Sequence, residues 1–182
     1  MKKKILISTG GSGGHVIPAI TIHDHLKDHY AVVFSTDYRG LKYLDKEKYK
    51  IFLIDTPRLN KLIFIPFTFL KVFFLTIKSL FLLKKEKIDI MISTGGYMSL
   101  PLCLAAKILR IKFFLLEPNM IIGRANKFFL NFCEKIICYD SNIINLPKNF
   151  FGKLVVLNPL IRKKYYEKNF KLNTDKIFTV IV

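Results

Sequence analysis

Runs of four or five mostly apolar residues recur along the chain at 5–8, 31–35, 51–54, 88–92, 113–116, 136–139 and 154–157. They lack the regular polar alternation of a half-exposed strand, which is the pattern of strands buried on both faces. The intervening stretches at 16–28, 40–47, 66–86, 98–109 and 123–132 are long enough to be crossover helices. Such alternation predicts an α/β fold, a doubly wound, Rossmann-like parallel sheet. Ligands of that architecture bind outside the carboxyl ends of the strands, so the loops after the strands are where chemistry is expected.

Three of those loops carry unusual residues. The first, Thr9-Gly10-Gly11-Ser12-Gly13-Gly14-His15, follows the first strand and opens a helix. Its glycines let backbone approach a ligand closely, and a helix N-terminus offers free N–H groups to a phosphate. It is not a Walker A loop, because no Gly-Lys-Ser/Thr follows, and Val16 stands where a dinucleotide fingerprint has its third glycine. His15 sits at the mouth of this helix, either as a phosphate donor or proton acceptor or as a packing residue. The second loop, Ser93-Thr94-Gly95-Gly96-Tyr97, repeats the strand-to-helix glycine turn, so the two face a common cleft. Tyr97 is placed to stack on a ligand or to pack over the loop. The third contains Glu117-Pro118-Asn119 and then Gly123-Arg124-Ala125-Asn126. Glu117 is the acid/base candidate of that row; the alternative is a structural acceptor that fixes the loop amides.

The segment 62–83 has only Thr68, Lys71, Thr76, Lys78 and Ser79 among its apolar side chains. Pro66 and two internal lysines argue against a membrane span. Lys71, Lys78 and Lys85 recur every seven residues on one stripe, and Phe67, Phe74 and Phe81 interleave with them. An interfacial helix at an anionic membrane explains both the lysines and the surplus phenylalanines; the alternative is a buried crossover helix.

Charge strengthens the case for an anionic partner: 30 Lys+Arg against 13 Asp+Glu give +17. With 51% hydrophobic residues, disorder and low complexity are excluded. No nucleic-acid recognition module is present, and the aromatics concentrate in one lipid-like helix, so nucleic acid is not the expected partner. His23, His25 and His29 lack a partner at metal-ligand spacing and read as surface residues; no metal or other cofactor is expected. Cys103, Cys133 and Cys138 read as buried small hydrophobes of a reducing compartment. The basic start Lys2-Lys3-Lys4 runs into Ser8-Thr9-Gly10 too soon for a signal peptide, so export is not expected. A nicotinamide oxidoreductase using Asp37 as its ribose acid is a weaker alternative, given the missing third glycine.

The loop 10–15, the turn Gly95-Gly96-Tyr97 with Ser99 and Pro101, Glu117-Pro118-Asn119 with Asn126, and the Asn158-Pro159 corner together resemble the N-terminal half of the MurG family over about residues 4 to 164. The resemblance implies a GT-B glycosyltransferase that inverts the anomeric centre while moving N-acetylglucosamine (GlcNAc) from UDP-GlcNAc to lipid I at the cytoplasmic membrane face. On that basis Ser12, Gly13, Gly14, Gly95, Gly96 and Asn119 border the donor or acceptor, and His15 is a base or phosphate contact. Tyr97, Glu117 and Asn126 shape the acceptor site, and Arg162 stands for the arginine after Asn-Pro. Here Leu160 and Ile161 precede Arg162 where one residue is usual, Ser12 replaces threonine, and Leu116-Glu117-Pro118-Asn119 replaces His-Glu-Gln-Asn. Residues 1–164 are then the acceptor-binding domain. Residues 165–182 end in the apolar run 177–182, which either adds an edge to the sheet or, as the resemblance implies, follows a linker as the first strand of a donor-binding domain. On the second reading a donor-binding half is required in cis or in trans; the alternative is a non-catalytic membrane-bound acceptor subunit or an inactive fragment.

Overall fold

In the computed structural model, residues 2–56 and 65–161 are described. Seven strands, β1 (Lys4–Ser8), β2 (Ala31–Thr36), β3 (Ile51–Leu53), β4 (Ile90–Ser93), β5 (Lys112–Glu117), β6 (Ile136–Cys138) and β7 (Leu154–Val156), form one sheet. Every pairing is parallel, in the order β3-β2-β1-β4-β5-β6-β7. The helices α1 (Gly13–Leu26), α2 (Ile65–Lys85), α3 (Leu100–Ile108) and α4 (Arg124–Phe129) are the crossovers. Chain order reverses between β1 and β4, so the topological switch point lies between the two glycine-rich loops.

Successive residues of a strand point to opposite faces, and the core divides accordingly. Ile5, Ile7, Phe34 and Ile92 pack with Val16, Ala19 and Ile22 of α1. Leu6, Met91, Phe113 and Leu115 pack on the other side with Leu83 of α2, Leu102 and Ala106 of α3, and Phe129 of α4. Cys103, Cys133 and Cys138 are buried free thiols in this second layer, and burial pushes the Cys103 thiol up to about 12.

Three elements depart from the pattern. The stretch 40–47 forms only a 3₁₀ turn, Gly40–Tyr43, because Asp37 captures the amide of Gly40 and its carbonyl takes the amide of Leu41. Ile88 does not join β4: Lys87 turns left-handed (φ 50°) and the Ile88 amide reaches back to the Leu83 carbonyl, closing the C-terminus of α2. Helix α1 starts at Gly13 rather than 16, with Ser12 in extended conformation before it. His23 is also not a surface residue. It stacks on Phe34 and meets the edge of Tyr49, and burial lowers its pKa against the opposing pull of Asp24. His25 contacts the carbonyl of Ile161, while His29 is exposed. Arg162 and the segment 165–182 lie outside the described residues.

Helix α2 is amphipathic in an unusual sense. Its hydroxyls turn inward, Thr76 donating to the Val72 carbonyl and Ser79 to the Leu75 carbonyl, and both side chains are buried against the fold. Phe67, Phe69, Phe73, Phe74 and Phe81 are exposed, Phe81 to 71%. Lys71, Lys78 and Lys85 are exposed as well. The steps of four and three residues along Phe67, Lys71, Phe74, Lys78, Phe81 and Lys85 put all six on one side of the helix. Among the described residues no helix is long and apolar enough to cross a membrane.

Candidate active-site cleft

The carboxyl ends of β1, β2, β4 and β5 deliver their loops to one open cleft of about 520 Å³. It brings together Ser12, His15, Gly95, Gly96, Tyr97, Glu117, Asn119 and Asn126 from the sequence-derived set. Gly13 and Gly14 are not in its wall. They form the first turn of α1, where a side chain on Gly13 would press on the Tyr43 ring. Gly95 and Gly96 both have φ +88°, a conformation costly for any other residue, and a β-carbon on Gly95 would meet Asn126 and His15 at 3.4 Å. The turn therefore lets bare backbone lie against those two side chains.

His15 has a defined tautomer. Its Nδ1 is 2.6 Å from the carbonyl oxygen of Thr94, which only accepts, so Nδ1 carries the proton. In the neutral ring Nε2 is then an unprotonated acceptor on the Gly96 side of the cleft. This is the geometry of a general base held in orientation by its other nitrogen.

Glu117, 2% exposed, is enclosed by donors. Its Oε2 accepts from the Gly123 amide (2.7 Å) and Asn126 Nδ2 (3.0 Å), and its Oε1 from Asn119 Nδ2 (3.1 Å) and the Asn119 amide (3.4 Å). This geometry favours the structural-acceptor alternative for Glu117. Asn126 Nδ2 also donates to the Leu116 carbonyl, so both its hydrogens are used and the amide cannot flip without losing them. The remaining atom, Asn126 Oδ1, is buried and has no partner among the described residues. An unpaired buried acceptor costs about 1–3 kcal/mol unless a ligand satisfies it.

The loop after β2 contributes a feature that the sequence reading missed. Asp37, suggested above as a ribose acid, is fully buried and both its oxygens are engaged. Oδ1 accepts from the amides of Gly11 (2.9 Å) and Gly40 (2.8 Å), and Oδ2 from Arg39 Nε (2.8 Å) and Nη2 (2.7 Å). Burial alone would raise its pKa, but these donors outweigh it and hold the carboxyl below the usual range. Asp37 thus pins the first glycine loop and sets Arg39 at the cleft wall, to which Arg124 from the start of α4 also contributes. The sequence signal for Arg39 is its place just beyond the carboxyl end of β2, where ligands of this architecture lie.

A parallel sheet with two glycine turns meeting at its switch point and a cleft lined by Arg39 and Arg124 above them defines a domain of the Rossmann-like, nucleotide-binding type. Residues 5–138 match the glycosyltransferase family 28 N-terminal domain, and the chain belongs to that family. Over its whole length it is 50% identical to the UDP-N-acetylglucosamine--N-acetylmuramyl-(pentapeptide) pyrophosphoryl-undecaprenol N-acetylglucosamine transferase of Pelagibacter ubique, covering 52% of that protein. It is 33% identical to the protein of the same name from Rickettsia canadensis, covering 99% of this chain and 51% of that one. The chain spans about half the length of the curated relatives it matches. Among solved structures, Acinetobacter baumannii MurG superposes with TM-score 0.72 at 24% identity, over 93% of this chain and 50% of that one. A UDP-N-acetylglucosamine 2-epimerase superposes with TM-score 0.61 at 13% identity over 86% and 48%, a likeness of fold.

Proposed function

We propose that this chain is the acceptor-binding half of an inverting glycosyltransferase. The enzyme transfers GlcNAc from UDP-GlcNAc to the muramoyl 4-hydroxyl of lipid I at the cytoplasmic face of the bacterial membrane, and a donor-binding half, in cis or in trans, completes it. The observation that carries this reading is the 50% identity to the Pelagibacter ubique transferase along the whole chain. The cleft supplies the chemistry. Arg39, Arg124 and the N-terminus of α1 behind Ser12 attract a diphosphate, and Asn126 Oδ1 accepts from a sugar hydroxyl or acetamido N–H. His15 Nε2 takes the proton of the 4-hydroxyl as its oxygen attacks the anomeric carbon and UDP departs from the opposite face. Glu117 acts as a positioning residue through Asn119 and Asn126. Arg162, just beyond the described residues, is assigned to the same cleft on the family resemblance.

The exposed stripe Phe67, Lys71, Phe74, Lys78, Phe81 and Lys85 is the proposed membrane contact, phenylalanines in the acyl boundary and lysines at anionic headgroups. The test is flotation of the purified chain with anionic vesicles, with and without lipid I, alongside transfer from labelled UDP-GlcNAc. Lipid I-dependent flotation and negligible transfer by the chain alone are expected. Robust transfer without a second half, or no preference for vesicles bearing lipid I, would refute this assignment.

A further inference from the structure

A second cavity, of about 280 Å³, opens beside the cleft, between α2, α3 and α4. Its walls are almost wholly apolar: Val72 of α2 and Leu100 and Leu104 of α3 contribute side chains, and Thr56 turns its hydroxyl away to the Met98 carbonyl. Tyr97 and Ala125 belong to both chambers, so the apolar one begins where the polar one ends. Phe69 and Phe128 also line it and are largely exposed to solvent, at 68% and 73%. A polar cleft lined by arginines thus adjoins an apolar chamber that is itself lined by exposed aromatic residues. That sequence of environments matches a molecule with a charged head and a hydrocarbon tail.

The geometry points to a prenyl subsite: the cavity holds the first isoprenoid units of the acceptor lipid, next to the diphosphate, before the chain enters the bilayer. At about 30 Å³ per water-sized group the volume accommodates roughly nine chain carbons, which is one to two prenyl units. The assignment rests on the acceptor-lipid reading above and adds that the tail is recognised by the protein rather than only dissolved in the membrane. It follows that a short, water-soluble prenyl diphosphate binds the chain with no membrane present.

The experiment compares farnesyl diphosphate with inorganic pyrophosphate by calorimetry on the full chain, below the micellar concentration. Farnesyl diphosphate is expected to bind about tenfold or more tightly than pyrophosphate, since burying even one prenyl unit exceeds that gain. Val72→Trp, which fills the cavity from α2, is expected to abolish the advantage while pyrophosphate binding stays within about twofold. Equal affinity of the two probes, or an advantage that survives Val72→Trp in a folded variant, overturns the subsite while leaving the diphosphate cleft standing. Failure of both probes to bind overturns the acceptor reading together with the subsite. Should Val72→Trp not fold, a farnesyl diphosphate carrying a terminal diazirine decides the matter on the unmodified chain. Adducts on peptides containing Phe69, Val72, Leu104 or Phe128 support the subsite; adducts elsewhere alone overturn it.

Discussion

Asp37→Asn tests how the first glycine loop is held. An asparagine that keeps its oxygen toward Gly11 and Gly40 preserves both backbone contacts, but its Nδ2 then confronts Arg39 Nε and Nη2, now 2.8 and 2.7 Å from Oδ2. Two charge-assisted hydrogen bonds are lost and donors oppose donors. Such bonds are each worth about 1.5–3 kcal/mol, yet the Arg39 side chain is 37% exposed and recovers water when released. Relief of the buried carboxylate's desolvation offsets a further part. A net loss of about 2 kcal/mol at pH 7 is expected, read as a lower urea midpoint with unchanged slope by circular dichroism.

The pH dependence supplies an independent check. Because the folded pKa of Asp37 is depressed, its stabilisation is complete above the ordinary carboxylate pKa of about 3.9 and disappears as pH falls through the folded value. The gap between the native chain and Asp37→Asn is therefore constant from pH 7 to about 5 and shrinks below about pH 4. A loss under about 0.5 kcal/mol at pH 7, or a gap that does not change on acidification, would show that this carboxylate does not pin the loop.

Other expectations follow from single side chains. His15→Gln, assayed with a donor-binding half present, is expected to lower kcat by about 10²–10⁴ with little change in acceptor KM; an unchanged kcat removes His15 as the base. Phe74→Ser with Phe81→Ser leaves the urea midpoint almost unaltered, because both rings are already exposed, but weakens binding to anionic vesicles by about tenfold or more. If vesicle binding is unaffected, α2 is not the membrane contact. With its pKa at about 12 and its side chain fully buried, Cys103 resists a disulfide reagent at pH 8 until the chain unfolds. Rapid labelling of Cys103 in the folded chain would contradict that burial.

The sheet was legible because each strand is a short apolar run, buried on both faces in the centre of the sheet and half-exposed at the edge strands β3 and β7, and all seven predicted strands are present. The two glycine turns were legible because few other structures need four glycines between a strand and a helix. Legibility ended where a role depends on hydrogen bonds across the fold. Asp37 lies 26 residues from Gly11 in sequence, and nothing local marks it as that loop's anchor. Glu117 reads equally as an acid/base or as a structural acceptor in the sequence, and its four donors favour the second; Ile88 reads as strand until its amide is seen closing α2. On α2 the composition suggested an excess of apolar surface, but the inward turn of Thr76 and Ser79 needed the packed fold.

On the function proposed above, the cleft above the switch point holds the head of a lipid-linked sugar diphosphate. Amide chemical shifts of the ¹⁵N-labelled chain, followed during titration with a short-prenyl analogue of lipid I, test it most directly. Saturable shifts are expected at Gly11, Gly95, Gly96, Tyr97 and Asn119, and at the side-chain amide of Asn126, whose oxygen gains a partner. Shifts clustered away from those residues, or none at concentrations that saturate vesicle binding, would contradict it.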